Sequence, residues 1–181
     1  CALPILAWGS SKSIGDTASF KTGGWGVDGG ADIATPLGRV GASLSYLFGQ
    51  DKNKDTDGDI SANQYGVAAH WRMQSKGFQA SARVGWARIN FDGRRSFRST
   101  TGPTPIDRQI DSDWSGDLVT ANAHLAQQLW AGRLYVRPTV DLDYAKLKED
   151  GYVETGGGTA LDLTVAKRTS DELAVSGILA A

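Results

Sequence analysis

The 181-residue chain has one cysteine, little net charge and no long apolar run, and each shortage excludes something. Its one cysteine is Cys1, so no disulfide can form within the chain. Because 19 Lys and Arg balance 20 Asp and Glu, the chain lacks the concentrated positive charge that nucleic-acid binding needs. No run of residues approaches the roughly 18 apolar positions of a transmembrane helix, which excludes a helical membrane protein.

The length suits one hydrophobic core, and we expect a single domain over residues 1–181. Cys1 could be the lipidated first residue of a processed lipoprotein, but no signal peptide precedes it. We therefore expect an ordinary cut end at Cys1.

Alternation of apolar and polar residues at period two dominates the sequence and predicts an all-β protein. From Phe78 to Trp86, every second residue is apolar, and the residues between them include Ser81 and Arg83. The apolar stripes extend over about 9 to 11 residues, the span of a tilted strand across a bilayer. The mean hydropathy of −0.29 is compatible with a membrane, because such strands carry apolar residues only at alternate positions. The other alternating segments are 25–33, 40–48, 64–73, 119–129, 134–144 and 161–165.

The connections alternate between short turns and long polar stretches, as in outer-membrane barrels with short periplasmic turns and longer external loops. Eight strands are expected, together with part of a ninth that begins at Leu173. The predicted short turns are at 35–38, 74–77, 131–133 and 168–171, and the predicted long loops are at 49–61, 92–117 and 146–158.

Aromatic residues fall near both ends of the apolar stripes once the short turns are placed on the periplasmic side. Trp71 and Phe78 lie at the periplasmic end, and Phe48 lies with four other aromatic residues at the external end. Two such girdles are expected at headgroup level. The residues predicted to face lipid are Val40, Leu44, Tyr46, Tyr65, Trp71, Phe78, Val84, Trp86, Leu134, Val140, Leu142 and Tyr144.

The other phase mixes charged residues with Gly and Ser, which suits a wet lumen. A soluble lipocalin-like barrel also alternates but places its apolar phase inside. The charged phase favours the membrane barrel, since an Arg facing lipid at the midplane would cost roughly 2 to 4 kcal/mol. The residues predicted to line the lumen are Asp28, Asp32, His70, Arg72, Arg83, Asn122, His124, Arg137, Asp141 and Asp143.

Several segments, in this order and spacing, resemble the β-domain of bacterial autotransporters, the translocators of type V secretion. The strongest match is 144–165, where Tyr152, Glu154 and the glycines of 156–158 follow the family's Tyr-x-Glu-x-Gly-Gly pattern. Pro138 and Leu142 precede it at the places that the family pattern requires. The weaker matches are Trp25–Asp32, Arg39–Tyr46 and Tyr65–Ala68.

The resemblance implies an antiparallel up-and-down barrel of twelve strands in the outer membrane of a Gram-negative bacterium. Such a domain anchors an autotransporter and exports its passenger through a polar lumen. The implied partners are outer-membrane lipid, the chain's own passenger and the barrel-assembly machinery. Family members end in an aromatic residue, whereas this chain ends at Ala181, so we expect a domain truncated at its C-terminal end. The alternative is a small outer-membrane porin or a structural, adhesin-type β-barrel.

Three motifs suggest chemistry but have simpler interpretations. Residues 53–59 match the first half of a calcium loop, but the twelfth position is Gln64, and we expect a solvated loop. His70 and His124 lack a second ligand at metal-like spacing, so no metal is expected. The glycines of 156–158 lack the Lys and Ser/Thr of a phosphate loop and predict a flexible strand entry. With no Ser/His/Asp set to assemble from the sequence, we expect neither an enzyme nor a cofactor.

Overall fold

A computed structural model describes residues 6–14, 17–53, 58–101, 105–132 and 134–180, which form an all-β structure. Within these ranges, no helix has the length and apolar character needed to cross a membrane. The strands are β1 (Leu6–Ile14), β2 (Thr17–Thr35), β3 (Gly38–Asn53), β4 (Gly58–Ser75), β5 (Phe78–Ser99), β6 (Ile106–Gln127), β7 (Leu129–Ala131), β8 (Leu134–Glu149), β9 (Tyr152–Val153), β10 (Thr164–Val165) and β11 (Arg168–Ala180).

Among the described residues, nine strands form one antiparallel sheet whose order follows the chain. The order is β1-β2-β3-β4-β5-β6-β8-β11, and β7 pairs only with β8. β9 and β10 form a separate two-stranded sheet. The predicted all-β, antiparallel, up-and-down arrangement is confirmed. In the pairings that the described strands make, β1 and β11 are the two edges of the sheet; the predicted truncation stays a prediction.

Short turns join the strands at one end of the sheet, as predicted at 35–38, 74–77 and 131–133. In the first, Thr35 Oγ1 donates a hydrogen bond to the Gly38 carbonyl at 2.7 Å. Glycine is needed at the second, where Gly77 has a φ of 84°. The third follows β7 and contains Gly132 with a φ of 64°, while Arg133 lies outside the described residues. This end is called the short-turn end.

The predicted short turn at 168–171 is wrong, because these residues begin β11 and pair with β8 from Arg168↔Glu149 onward. The last strand therefore begins at Arg168 rather than at Leu173. The predicted strand over 161–165 is also wrong in extent. Only Thr164 and Val165 are in a strand, and they pair with β9 away from the main sheet. Residues 150–167 thus form the connection between β8 and β11, and are called the strap.

Two of the long polar stretches are largely strands instead of loops. β3 continues to Asn53 and β4 begins at Gly58, while β5 and β6 remain paired out to Ser99↔Ile106. Polar residues are depleted in strands, but cross-strand ion pairs such as Arg94–Asp111 and Arg98–Asp107 stabilise the extended β5–β6 hairpin. The predicted solvated loop at 53–59 includes residues 54–57, which lie outside the described residues. The end that carries these extended hairpins and the strap is called the long-hairpin end.

The sheet is a single-layer wall with few buried apolar side chains. The buried apolar residues among those described are Ala68, Ala80, Ala87, Ile89, Ile110 and Ala126. Small residues at most of these places let neighbouring side chains lie close to the backbone. Because the described strands enclose no thick core, stability must depend on the ladder and on what covers the two faces of the wall.

Neighbouring glycines in β2 offer a direct test of this close packing. A Cβ added to Gly30 would lie 2.6 Å from the Ala42 carbonyl oxygen and 2.8 Å from Ser43 Cβ, whereas one added to Gly29 meets nothing within 4 Å. We expect Gly30→Ala to lower the free energy of unfolding by about 1 to 3 kcal/mol, because the backbone must shift. Gly29→Ala, the matched control, should change it by less than about 0.5 kcal/mol. Urea unfolding in detergent micelles measures both, and equal effects would contradict the close approach.

Candidate functional site

One face of the wall, called the polar face, carries all ten residues predicted to line the lumen. Directly opposite residues of an antiparallel pair share a face, so the pairing of successive strands builds horizontal rows across the sheet. Eight of the ten predicted residues fall in two adjacent rows. The first row is Asp32, Gly41, His70, Arg83, Asn122 and Asp143, and the second is Arg39, Arg72, Ser81, His124 and Asp141.

The charged side chains of these rows are paired with one another. Asp32 accepts hydrogen bonds from Arg39 at 2.5 Å and from Arg72 at 2.7 Å, bridging three strands. Asn122 donates to Asp143 at 2.5 Å, and His124 Nδ1 lies 2.6 Å from Asp141 Oδ1. The positive and negative side chains of the two rows are therefore close to balance, and each of these contacts joins residues on different strands.

The two remaining predicted residues, Asp28 and Arg137, flank the rows. Arg83 lies 3.4 Å from Asp28 and the same distance from Ser43, and Arg137 donates to Gln79 at 2.5 Å. A cavity of about 270 Å³ on this face is lined by seven of the residues predicted to line the lumen, including both histidines. Within the described ranges, no group of three or more His, Cys, Asp or Glu side chains is arranged to hold a metal ion.

The opposite face, called the apolar face, carries all twelve residues predicted to face lipid. At its long-hairpin end, Tyr46 contacts Trp25 and Tyr65 with ring centroids 5.3 and 5.1 Å apart. The Tyr46 hydroxyl donates to Asn63 Oδ1 at 2.7 Å. At the short-turn end, Trp71 Nε1 donates to the Leu37 carbonyl at 2.8 Å. Polar ends of aromatic side chains are thus satisfied at both margins of the apolar face.

The strap continues the wall beside β6, beyond the end of β8. Asp111 and Thr155 exchange two backbone hydrogen bonds of 2.9 Å, and the Asp150 amide donates to the Ser115 carbonyl at 2.8 Å. The strap then turns onto the polar face and covers Ile110, which is only 1% exposed.

Arg95, on the polar face of β5, holds the strap by three hydrogen bonds. Its guanidinium donates to both carboxylate oxygens of Glu154, at 3.0 and 2.6 Å, and to the Leu161 carbonyl at 2.7 Å. Glu154 also accepts from the Leu163 amide at 3.0 Å. Bidentate pairs of this kind are among the stronger hydrogen bonds in proteins. Arg95 keeps the pKa of Glu154 below its ordinary value, although burial acts in the opposite direction.

An aromatic stack supports the base of the strap. The ring centroids of Tyr152 and Trp114 are 4.6 Å apart, and those of Trp114 and Phe91, on the next strand, are 5.0 Å apart. The rings are nearly parallel. Trp114 Nε1 donates to Glu149 at 3.1 Å, and Arg168 donates to both oxygens of the same carboxylate. The hydrogen bonds from Arg168 lower the pKa of Glu149, with a smaller contribution from Trp114, while burial opposes them.

The motif Tyr-x-Glu-x-Gly-Gly is therefore a docking sequence for the strap. Gly156 has a φ of 103°, and a Cβ there would lie 2.4 Å from the Gln109 carbonyl oxygen. A Cβ on Gly157 would lie 2.9 Å from Ile110 Cδ1. The predicted strand entry at 156–158 is wrong, because these glycines lead into a turn and Gly156 and Gly157 pack against β6; their flexibility stays a prediction. Sequence reasoning missed Arg95 and Trp114, since both lie in a stretch predicted to be a loop.

A pair of like charges lies on the apolar side of the extended β5–β6 hairpin, six residues beyond Trp86. Asp92 is directly opposite Asp113 in the ladder. Burial, followed by the hydrogen bond and the charge of Asp113, raises the pKa of Asp92. Arg94 and Asp111, in the next row, form an ordinary exposed ion pair at 3.0 Å.

Comparison with known proteins agrees with this arrangement. The autotransporter beta-domain family model matches residues 4–176. Two proteins titled Esterase EstA, from Pseudomonas aeruginosa and Pseudomonas putida, are each 29% identical over 144 residues, which cover 75% of this chain and 21% of theirs. The translocator domain of autotransporter NalP from Neisseria meningitidis has the same fold, with a TM-score of 0.74 at 15% identity, covering 97% of this chain and 58% of that one.

The sheet order and the family match define an outer-membrane β-barrel translocator. The chain belongs to the autotransporter β-domain family. The predicted family, fold, membrane location and translocator function are thereby confirmed, and the small porin and adhesin-type alternatives are not supported. The chain spans about a fifth of the length of the two esterase-titled proteins, so their activity is not carried over to it.

The two hydrogen bonds from Arg95 to the Glu154 carboxylate predict that the strap loses stability in acid. Because the pKa of Glu154 in the folded protein lies below its ordinary value of 4.5, the stabilisation from the Arg95–Glu154 pair is fully present above pH 4.5. It is lost as pH falls through the folded pKa of Glu154. Amide protection of the strap, measured by hydrogen exchange and corrected for intrinsic rates, should be constant from pH 7 to 5 and then decrease. Glu154→Gln should start lower and show a smaller decrease; Asp107→Asn, at an exposed pair, should match the unmodified protein. An unchanged profile in Glu154→Gln would refute the assignment.

The opposed carboxylates predict a stabilising substitution. Because the pKa of Asp92 is raised in the folded protein, its ionised carboxylate destabilises the fold at neutral pH. This destabilisation disappears as pH falls through the raised pKa. Asp113→Asn should increase the free energy of unfolding by about 0.2 to 1 kcal/mol at pH 7, and by less at pH 4. Asp107→Asn, which removes an attractive partner of Arg98, should give no increase. Urea unfolding at the two pH values measures the difference, and a destabilised Asp113→Asn protein would show that the pair is not repulsive.

Proposed function

We propose that the polar face lines the lumen through which a passenger polypeptide passes and that the apolar face contacts lipid. The observation that carries this proposal is the separation of the two faces, with paired charges in two rows on one side and a continuous exposed apolar surface on the other. The short-turn end is assigned to the periplasm and the long-hairpin end to the cell exterior, because outer-membrane barrels have this asymmetry.

The apolar face is too large and too exposed to suit water. Leu44 is 67% exposed and Val84 59% exposed, and similar residues continue across the neighbouring strands. Soluble monomers rarely expose apolar patches of more than a few hundred Å². On β4 the apolar residues extend from Tyr65 to Met73, about 26 Å at roughly 3.3 Å per residue, close to the height of the apolar band of membrane barrels.

The polar rows suit passage of an unfolded chain. Asp32, Arg72 and Arg83 have hydrogen-bonding partners in the wall, so water and a passing peptide meet charges that are already balanced. The proposed partners are the chain's own passenger, outer-membrane lipid and the barrel-assembly machinery. In the esterase-titled relatives, the aligned region is a fifth of the protein. We assign catalysis in such proteins to the unaligned part, and a non-enzymatic role to the domain described here.

Adjacent residues on opposite faces provide the test. In a Cys1→Ser background, which has no other cysteine, Arg83→Cys should react with a water-soluble maleimide in outer-membrane vesicles. Val84→Cys, the matched control one residue away, should react only with a lipid-soluble maleimide. In cells, a cysteine in a polypeptide stalled during export should form a disulfide with Arg83→Cys and not with Val84→Cys.

The opposite labelling pattern would reverse the two faces and overturn the proposal. Correct labelling without any disulfide to the stalled polypeptide would retain the membrane orientation and refute the lumen as the export path.

A further inference from the structure

The strap lies on the polar face at the long-hairpin end, beyond the charged rows on the same wall. Arg95 is twelve residues further along β5 than Arg83 and points to the same face. Its hydrogen bonds to Glu154 and Leu161 bring the strap across β6 to β5. A polypeptide that moves along the polar face toward this end must therefore meet the strap.

The attachments of the strap are few compared with those of the wall. Besides the three hydrogen bonds from Arg95, they are the Asp111–Thr155 backbone pair, the Tyr152 stack and the hydrogen bonds of Asp150. The Asp150 amide donates to the Ser115 carbonyl, and its carboxylate accepts from Ser115 Oγ and from Arg88. Both ends of the strap continue into β8 and β11, which stay paired with each other. Detaching the strap therefore breaks no ladder of the main sheet, and segments held this way open locally at lower free energy than the wall.

We propose that the strap is a gate at the exit of the lumen, latched by Arg95 and displaced while a polypeptide passes. The proposal rests on the translocation function proposed above. Arg95 is the latch because it joins β5 to both sides of the strap, at Glu154 before the glycines and at Leu161 after them. Since Glu154 is almost fully buried, loss of Arg95 would leave a carboxylate without its cation and favour the open state.

A reversible disulfide tests whether the gate must open. Asp111 and Thr155 are directly opposite, and their side chains lie on the side of the ladder away from Arg95. In the full-length gene product with Cys1→Ser, and with an epitope inserted ahead of residue 1, the pair Asp111→Cys and Thr155→Cys should block surface appearance of the epitope when oxidised and restore it when reduced. The control pair Arg98→Cys and Asp107→Cys joins β5 to β6 without touching the strap and should export in both states.

Protease sensitivity tests the same gate without a crosslink. A glutamate-specific endoproteinase should cut after Glu154 at least about tenfold faster when export is stalled midway than at rest, because the strap is then displaced. Arg95→Gln should be cut rapidly in both states, since charge-assisted hydrogen bonds to Glu154 are lost. Arg94→Gln is the matched control; its side chain lies on the face opposite to Arg95 and pairs with Asp111 of the wall, and it should behave like the unmodified protein.

The outcomes separate the gate from the translocation function. If the unmodified protein does not display the epitope, the translocation function fails. If it does, and the oxidised Asp111–Thr155 pair exports at the unmodified rate, the gate is refuted. Equal cutting after Glu154 at rest and in the stalled protein refutes it as well, whatever the fate of the cysteine variants.

Discussion

The structure depends on one constraint, the pairing of every backbone N–H and C=O between neighbouring strands, which a strand in lipid cannot avoid. The ladder between β4 and β5 satisfies it without interruption from Asp59↔Arg94 to Ser75↔Phe78. Because side chains alternate at period two, an unbroken ladder transmits the choice of face from each strand to the next. One continuous register therefore separates a charged face from an apolar face across the strands from β2 to β8.

The same register explains which parts of the fold were predictable. The alternation in 64–73 and 78–86 is long enough to identify both the strand and its two faces, and it did so correctly. Residues 161–165 alternate as clearly but over a shorter length. Alternation predicts that a segment forms a strand but does not identify the strand with which it pairs. Here the partner is β9 rather than a strand of the main sheet. The error moved the last turn to 168–171, where β11 already begins.

Within the candidate site, sequence reasoning identified the residues of the polar face but not their neighbours. Asp32 and Arg72 are 40 positions apart, and Arg95 and Glu154 are 59 apart, yet each pair is in hydrogen-bond contact. Such contacts follow from register and from the path of the strap, neither of which has a local signal. The motif around Tyr152 was visible as a family pattern, but its reason, the close packing of Gly156 and Gly157 on β6, required the structure.

The pairing of charges within the rows has a consequence for motion along the wall. A bare row of arginines would hold each acidic side chain of a passing peptide in a deep electrostatic well, and movement would proceed by slow escapes. Asp32, already shared by Arg39 and Arg72, offers a passing cation only what remains after those two bonds. If the polar face is the export path proposed above, Arg39 and Arg72 would likewise hold a passing acidic side chain less tightly than unpaired arginines, because both already bind Asp32.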